Sequence, residues 1–315
     1  STCEGHDELA QEFFLKIKER GDIEEKVTDQ FRCGSCEMFL PDRYVEGTCP
    51  LCRAEGARGD QCDSCGGAFE QDRLVDPLCA TCGATPELTS TKHWFFRLDR
   101  YEDRLREWLE KKTDWRGNVR NFSLGTVKEG LPARCITRDL EWGVPVPLEE
   151  AKDKVLYVWF DAPVGYISFT REMFRIRGQE DEWRSWWTDD DVEIVHFLGK
   201  DNIIFHAVIW PAMLLGHDEF RLPAAIPANE YLNFKGEKFS KSRGVGVTAE
   251  EILELFEADR VRYYLTAIAP EGKDTSFTWE NFIQRNNDEL SDVIGNLAHR
   301  VFTFTGKNFD SKIPD

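Results

Sequence analysis

Near the start of the chain apolar residues recur at helical spacing. Leu9, Phe13, Phe14 and Ile17 fall on one stripe of residues 9–20, which predicts an amphipathic helix. The periodicity then gives out. Residues 30–84 are rich in Gly, Asp and Arg and poor in apolar runs, so this segment cannot fold on a hydrophobic core alone. Regular patterning resumes with a strand over 92–98, a helix over 101–111 and a helix or turn over 114–124. From Arg134 onward short β-rich runs alternate with helical stretches: 155–159 then 168–177, 192–198 then 202–215, and 225–232 as a third strand. Such alternation implies an α/β fold with a parallel sheet. Ligands of such sheets gather beyond the carboxyl ends of the strands. The loops to inspect are therefore 160–166, 199–202 and 233–246. Beyond Thr248 the pattern is mainly helical, ending in 279–304.

Cysteine usage explains how the apolar-poor segment could hold together. Eight of the ten cysteines form four Cys-x-x-Cys pairs: Cys33/Cys36, Cys49/Cys52, Cys62/Cys65 and Cys79/Cys82. Two thiolates so spaced grip one face of a tetrahedral ion, and two pairs complete a site. Four pairs thus point to two Zn2+ ions, whose binding would be folding energy for the segment. Gly34, Pro50, Gly66 and Gly83 sit at or beside the pairs, where tight turns are expected. A disulfide framework would suit a secreted protein, and the polar, acidic residues 1–8 do not read as a signal peptide. Spacing alone leaves the pairing open between nested and sequential. Cys3 and Cys135 stand alone and read as ordinary thiols.

The 315 residues are enough for two or three domains. No apolar run of about 18 residues offers a membrane span, and a cytoplasmic location is expected. A chain that starts at Ser1 rather than Met reads as part of something longer. The 58 acidic residues against 40 basic ones give a net charge of −18. A nucleic-acid binder normally carries a basic face, so any such face here must be local. The acid excess otherwise reads as a solvated surface, or as adaptation to a salt-loaded cytoplasm.

Four segments carry candidate chemistry. Lys238-Phe239-Ser240-Lys241-Ser242-Arg243-Gly244 packs three cations, two hydroxyls and a glycine into seven residues. Its lysines can hold nucleotide phosphates and neutralise a leaving pyrophosphate, and Gly244 and Gly246 let the loop close over substrate. His196-Phe197-Leu198-Gly199-Lys200-Asp201-Asn202, with His206 one turn further on, ends an apolar strand and opens a helix. There Gly199 permits close backbone approach and Asp201 can accept from ribose hydroxyls, while Asn202 and His206 share a helical face. Trp159-Phe160-Asp161-Ala162-Pro163-Val164-Gly165-Tyr166 flanks small residues with two aromatics, as an apolar slot for a thioether would need. Arg138, in Arg138-Asp139-Leu140-Glu141-Trp142-Gly143-Val144-Pro145-Val146-Pro147, could reach a carboxylate. Taken singly, each has a plainer reading: a solvated basic loop, a core histidine, a core strand with its turn, a structural ion pair.

Together and in this order the segments resemble methionyl-tRNA synthetases, class I aminoacyl-tRNA synthetases. Lys238-Phe239-Ser240-Lys241-Ser242 is similar to that class's Lys-Met-Ser-Lys-Ser loop, with Phe239 as an apolar substitute for Met. The Cys-x-x-Cys pairs resemble the family's zinc-bearing connective peptide, of the two-zinc type, and relatives with one zinc keep the Cys49–Cys65 spacing, which favours nested pairing. The resemblance implies the second half of a Rossmann-like parallel-sheet catalytic domain. Residues 1–29 would be the helical end of the first half, 30–133 the connective peptide, 134–247 the second half, and 248–315 the stem-contact region and start of an α-helical anticodon-binding bundle. It further implies ATP, with Mg2+, methionine and tRNA(Met) as substrates. Trp159, Ala162, Pro163, Tyr166, Asn202 and His206 would line the methionine pocket. Arg138 would hold the amino-acid end, and Gly199, Lys200, Asp201 and Ser240 would lie at ATP. Lys238 and Lys241 would stabilise the departing pyrophosphate. Asn296 and Arg300, four apart on a helix, resemble an anticodon-reading pair. The family's first nucleotide-binding half, with its His-Ile-Gly-His signature, is not in this sequence, so the chain alone is expected to be inactive. The alternatives are a non-catalytic zinc-bearing RNA-binding module and another class I synthetase.

Overall fold

A computed structural model describes the chain except for residues 1, 60–61, 63–64, 66–68, 70, 241–243 and 313–315. The chain divides into two compact units. One comprises Ser1–His196 and Ile203–Ile226, the other Phe197–Asn202 and Pro227–Asp315.

The first unit opens with α1 (His6–Glu19), whose apolar stripe buries Leu9, Phe13, Phe14 and Ile17. Asp7 and Glu8 in its first turn and Lys16 and Lys18 in its last complement the helix dipole. β1 (Ile23–Cys33) leads to the short β2 (Met38–Phe39), and then to a small antiparallel sheet of order β4-β3-β5. Its strands are β3 (Val45–Thr48), β4 (Ala57–Arg58) and β5 (Val75–Cys79). β6 (Glu87–Phe96) returns along β1, from Glu87↔Arg32 to Phe96↔Ile23. This long ribbon brings both ends of the cysteine segment together. Phe31, Leu40, Val45, Ala57 and Leu74 give that segment only a small apolar cluster around its thiols.

Next come α2 (Glu102–Glu110) and α3 (Gly117–Glu129), which runs five residues past the expected end. β7 (Arg134–Cys135) completes the sheet β2-β1-β6-β7. β8 (Thr137–Arg138) pairs antiparallel with β9 (Val155–Leu156). The expected strand over 155–159 therefore stops at Leu156, and Trp159 belongs to a helical turn, α4 (Val158–Asp161). A short apolar run does not separate a buried strand from a buried helix, and here Ala162 and Pro163 continue in helical conformation into α5 (Val164–Ile176). α6 (Ser185–Thr188) follows. Of the expected strand over 192–198, this unit keeps one parallel bridge, Val195 to Ala225. The expected helix over 202–215 forms, with a π-helical stretch Phe205–Ile209 ahead of α7 (Trp210–His217). Phe13 stacks on Trp210 at 5.7 Å and Phe14 meets the edge of Phe160 at 6.4 Å, so α1 anchors both later helices.

In the second unit β10 (Leu198–Gly199) runs parallel to β11 (Ala228–Asn229). β12 (Leu232–Phe234) turns back into β13 (Glu237–Lys238) through Lys235 and Gly236, with φ of 50° and 86°. Two successive positive φ values make the primed turn that suits a tight hairpin. β14 (Thr275–Phe277), inside a stretch expected to be helical, adds parallel to β12. α8 (Ala249–Leu255) starts at a Thr248–Glu251 capping box. α9 (Ala258–Ala267), α10 (Trp279–Arg285), a π-helical stretch Asn286–Gly295 and α11 (Asn296–Asn308) complete the unit. Its core is Ile252, Val261, Tyr264, Phe277 and Phe282. The chain is mixed α/β as the patterning implies, with its parallel pairing confined to short segments.

Candidate functional site

In the first unit, helix packing gathers an aromatic and histidine wall. Trp159 on α4 lies flat on Phe205 at 3.9 Å and 11°. Arg134 caps Phe205 from 5.4 Å. Tyr166, on the first turn of α5, shares a 2.8 Å hydrogen bond between its hydroxyl and His206 Nε2. His196 packs 4.8 Å from the Tyr166 ring and 5.4 Å from that of His206. Burial, and then the neighbouring His206, hold His196 down to about 4, so it is neutral near pH 7. Burial also pushes the Tyr166 hydroxyl up, keeping it a hydrogen-bond donor. Pro163 is buried and Ala162 exposed on the turn between Trp159 and Tyr166. Trp159, Tyr166 and His206 are thus brought together. The motif reading missed Phe205 as a member, although it directly precedes His206. The Arg138 guanidinium lies over Tyr157, 3.9 Å from the ring centre, and donates to the Thr137 carbonyl at 2.9 Å.

The second unit holds the other candidates. A Cβ at Gly199 would fall 2.9 Å from Asp201 Oδ1, so only glycine leaves that carboxylate its place. Asn202 ends the short turn that follows and belongs to this unit, whereas His206 belongs to the first. Lys200 turns toward protein: its ammonium donates at 2.8 Å to both Glu230 and Asp274. Lys200 and Lys238 both face the ring of Tyr231, at 4.3 and 4.8 Å. Phe239 packs on Phe234 at 5.6 Å. It also lies against Gly246, where a Cβ would come within 2.5 Å of its ring. Ser240 and Val245 exchange both backbone hydrogen bonds, 2.8 and 3.0 Å, closing the base of the basic loop. Lys241 lies outside the described residues. Glu230, Tyr231 and Asp274 carry no motif signal; Asp274 reaches Lys200 only because β14 pairs with β12. Asn296 and Arg300 are exposed one turn apart on α11.

The cysteines form two tetrads. The thiols of Cys33, Cys36, Cys79 and Cys82 lie within 4.8 Å of one another, as do those of Cys49, Cys52, Cys62 and Cys65. The outer pairs meet each other and the inner pairs meet each other. Sulfur separations of 3.5 Å (Cys33–Cys82), 3.9 Å (Cys36–Cys79) and 3.7 Å (Cys52–Cys62) match the roughly 3.8 Å edge of a tetrahedron with ~2.3 Å Zn–S arms. The backbone N–H groups of Leu51 and Cys52 point at Cys49 Sγ, 3.4 and 3.5 Å away, as donors to a thiolate. Both tetrads could hold zinc. Gly34, expected in a turn that needs glycine, has an ordinary backbone; the left-handed residues are Glu37, Arg53 and Gly83, each four after the first cysteine of its pair. Gly66 lies outside the described residues.

The model of the family described as tRNA synthetases class I (M) matches residues 1–302. The chain is 48% identical to a methionine–tRNA ligase of Thermococcus kodakarensis, over 98% of the chain and 44% of that protein. It is 47% identical to one of Thermoplasma volcanium, over 99% of the chain and 58% of that protein. The chain therefore spans about half the length of the curated relatives it matches. Among solved structures, a Mycobacterium tuberculosis methionyl-tRNA synthetase in complex with methionyl-adenylate superposes with a TM-score of 0.71 at 29% identity, over 100% of this chain and 55% of that one. With four Cys-x-x-Cys pairs, the basic loop and the aromatic wall in one sequence, the chain belongs to the class I tRNA synthetases of the methionine type.

Proposed function

We propose that this chain supplies the methionine pocket, the pyrophosphate-side lysines and a two-zinc knob of a methionine–tRNA ligase. It would act in a longer protein that also provides a first nucleotide-binding half with a His-Ile-Gly-His signature. The carrying observation is the Trp159–Phe205 stack beside the Tyr166–His206 hydrogen bond. Flat aromatic faces suit a thioether, and the Tyr166–His206 hydrogen bond fixes the polar side of the wall. Ala162 and Pro163 would complete that pocket, and Arg138 would secure the amino-acid end. Gly199 and Asp201 would sit at the ATP ribose and Ser240 at the nucleotide. Asn296 and Arg300 would read the tRNA(Met) anticodon.

In the first step a methionine carboxylate oxygen attacks the α-phosphorus of Mg2+-bound ATP in line. The bond to pyrophosphate breaks and methionyl-adenylate forms. In the second, a ribose hydroxyl at the tRNA terminus attacks the acyl carbon and AMP leaves. The protein contributes positioning and charge stabilisation, with Lys238 and Lys241 neutralising the departing pyrophosphate. Both zinc sites would be closed, all-thiolate sites and hence structural, joining the outer pairs to one ion and the inner pairs to the other.

The test is methionine-dependent pyrophosphate–ATP exchange by the chain joined to such a first half, with the chain alone as the inactive control. Lys241→Ala should lower the exchange rate by roughly 10²–10³, the range for removing a charge-stabilising donor. Trp159→Ala should raise the methionine requirement and leave that for ATP in place. Exchange supported equally by leucine, valine or cysteine would end the reading.

A further inference from the structure

We propose that Lys200 is a positioning residue: with Glu230 and Asp274 it forms a charge clasp that keeps the ammonium of Lys238 on the Tyr231 ring and available to substrate. The inference rests on the proposed reading for the role of Lys238; the clasp itself is geometry within the second unit.

Lys200 Nζ donates at 2.8 Å to Glu230 Oε2 and at 2.8 Å to Asp274 Oδ1. Asp274 Oδ1 also accepts the backbone N–H of Tyr231 at 2.9 Å, which ties the carboxylate to the start of the β12–β13 hairpin. Thr275 N–H donates to the Tyr231 carbonyl at 3.0 Å, so β14 holds the same residue from both sides. The Tyr231 backbone is thereby held, and the ammonium groups of Lys200 and Lys238 lie 4.3 and 4.8 Å from its ring centre. Hydrogen bonding to Lys200 and to Tyr231 N–H holds the Asp274 carboxyl below its ordinary value, and the charge of Lys238 adds to this. The same carboxylates hold the Lys200 ammonium above its ordinary value, Asp274 foremost.

This makes Lys200 a poor ligand for phosphate, because its charge is already matched by two anions. Its removal has a directional consequence. Glu230 and Asp274 would lose the Lys200 ammonium while another, that of Lys238, lies 4.8 Å from the centre of the same ring. An ion pair with them would draw Lys238 away from a nucleotide. A single exposed ion pair is worth little; the clasp matters through which lysine the carboxylates take.

Two readouts test it. In the assembled enzyme, Lys200→Met should lower kcat of methionine-dependent pyrophosphate exchange about tenfold with the KM for methionine unchanged. Lys200→Arg should stay within about threefold of the unmodified enzyme. Lys200→Met/Asp274→Asn should also recover to within about threefold, since Asn keeps the acceptor for Tyr231 N–H but not the charge. In the chain itself, acylation of Lys238 by an N-hydroxysuccinimide ester, followed by peptide mass spectrometry, should slow about threefold in Lys200→Met and recover in the double variant. An ammonium locked to a carboxylate gives up its proton less readily. A double variant no better than Lys200→Met in labelling overturns the clasp. So does a Lys200→Met that raises the KM for ATP at constant kcat, which would make Lys200 a direct phosphate ligand. Labelling as expected without methionine-dependent exchange in the unmodified enzyme would leave the clasp standing and remove the function proposed for Lys238.

Discussion

His196 is 7% exposed and packed against both Tyr166 and His206, with Nε2 buried and without a hydrogen-bond partner among the described residues. Protonating it would put a charge where no acceptor waits. Its folded pKa of about 4 lies below the ordinary 6.5. The unfolded chain therefore binds the proton first as pH falls. The stabilisation from keeping His196 neutral is present above about pH 6.5 and lost as pH drops toward 4, by roughly 3 kcal/mol in all. Carboxylates titrate near the lower end of that window, so the comparison has to be differential. Urea unfolding of the native chain and of His196→Gln should show a stability gap that shifts by about 2 kcal/mol in favour of the variant between pH 7 and 4.5. A gap of constant size across that range would mean that His196 is not held neutral by its surroundings.

The turns of the cysteine pairs are a test at the scale of elements. Three of the pairs place a left-handed residue four positions after the first cysteine: Glu37 at φ 55°, Arg53 at 66° and Gly83 at 74°. Cys49 and Cys79 donate back in the same way, to Ala54 and Ala84 at 2.9 Å. One geometry is thus met by glycine once and by exposed charged residues twice. A non-glycine residue there costs about 1–2 kcal/mol, against the ~0.5–1 kcal/mol of extra chain entropy that glycine loses on folding. Arg53→Gly should therefore stabilise the zinc-loaded chain, and Gly83→Ala destabilise it, each by roughly 0–1.5 kcal/mol. Zinc release to a chelator, followed with a metallochromic dye, should slow in the first variant and quicken in the second; equal rates in both would show that metal, not backbone, sets the turn. These same elements mark what the sequence discloses. Cysteine spacing announces the four pairs, because two ligands three residues apart are local in the chain, but not which pairs join, because Cys33 and Cys82 meet only through the fold. The apolar stripe of α1 is likewise legible, since Leu9, Phe13, Phe14 and Ile17 bury together. Trp159 reads as strand because an apolar run carries no period, and its stacking on Phe205 is decided by helix packing. Asp274 is invisible in the sequence because its partner lies 74 residues away, across a strand pairing that a Thr-Ser-Phe triplet does not advertise.

Over the whole molecule the dominant quantity is the net charge of −18. Two electrostatic effects respond to salt in opposite directions. Contact ion pairs such as Lys111–Glu107 at 2.7 Å and Arg262–Asp259 at 3.1 Å favour the folded chain, and salt weakens them. Repulsion among the surplus carboxylates, 58 acidic residues against 40 basic ones, disfavours it, and salt relieves this. Distance decides between them. The contact pairs sit within about 3 Å, the Debye length at 1 M, whereas repulsions reaching across ~10 Å are already screened near 0.1 M. Exposed pairs are also worth only about 0–1 kcal/mol each, so relief of repulsion wins first. Raising KCl from 0.01 to 0.5 M should increase stability by about 1 kcal/mol, a rise in thermal midpoint of roughly 1–2 °C. A midpoint that falls throughout this range would mean that paired charges outweigh the surplus. On the function proposed above, binding of tRNA by the assembled enzyme should move the other way, because each phosphate contact releases counterions and weakens as salt rises. On an acidic chain those contacts must be few and local, so the fall in log affinity with log salt should be shallow, and a slope as steep as that of a protein making about ten phosphate contacts would require a basic face supplied from outside this chain.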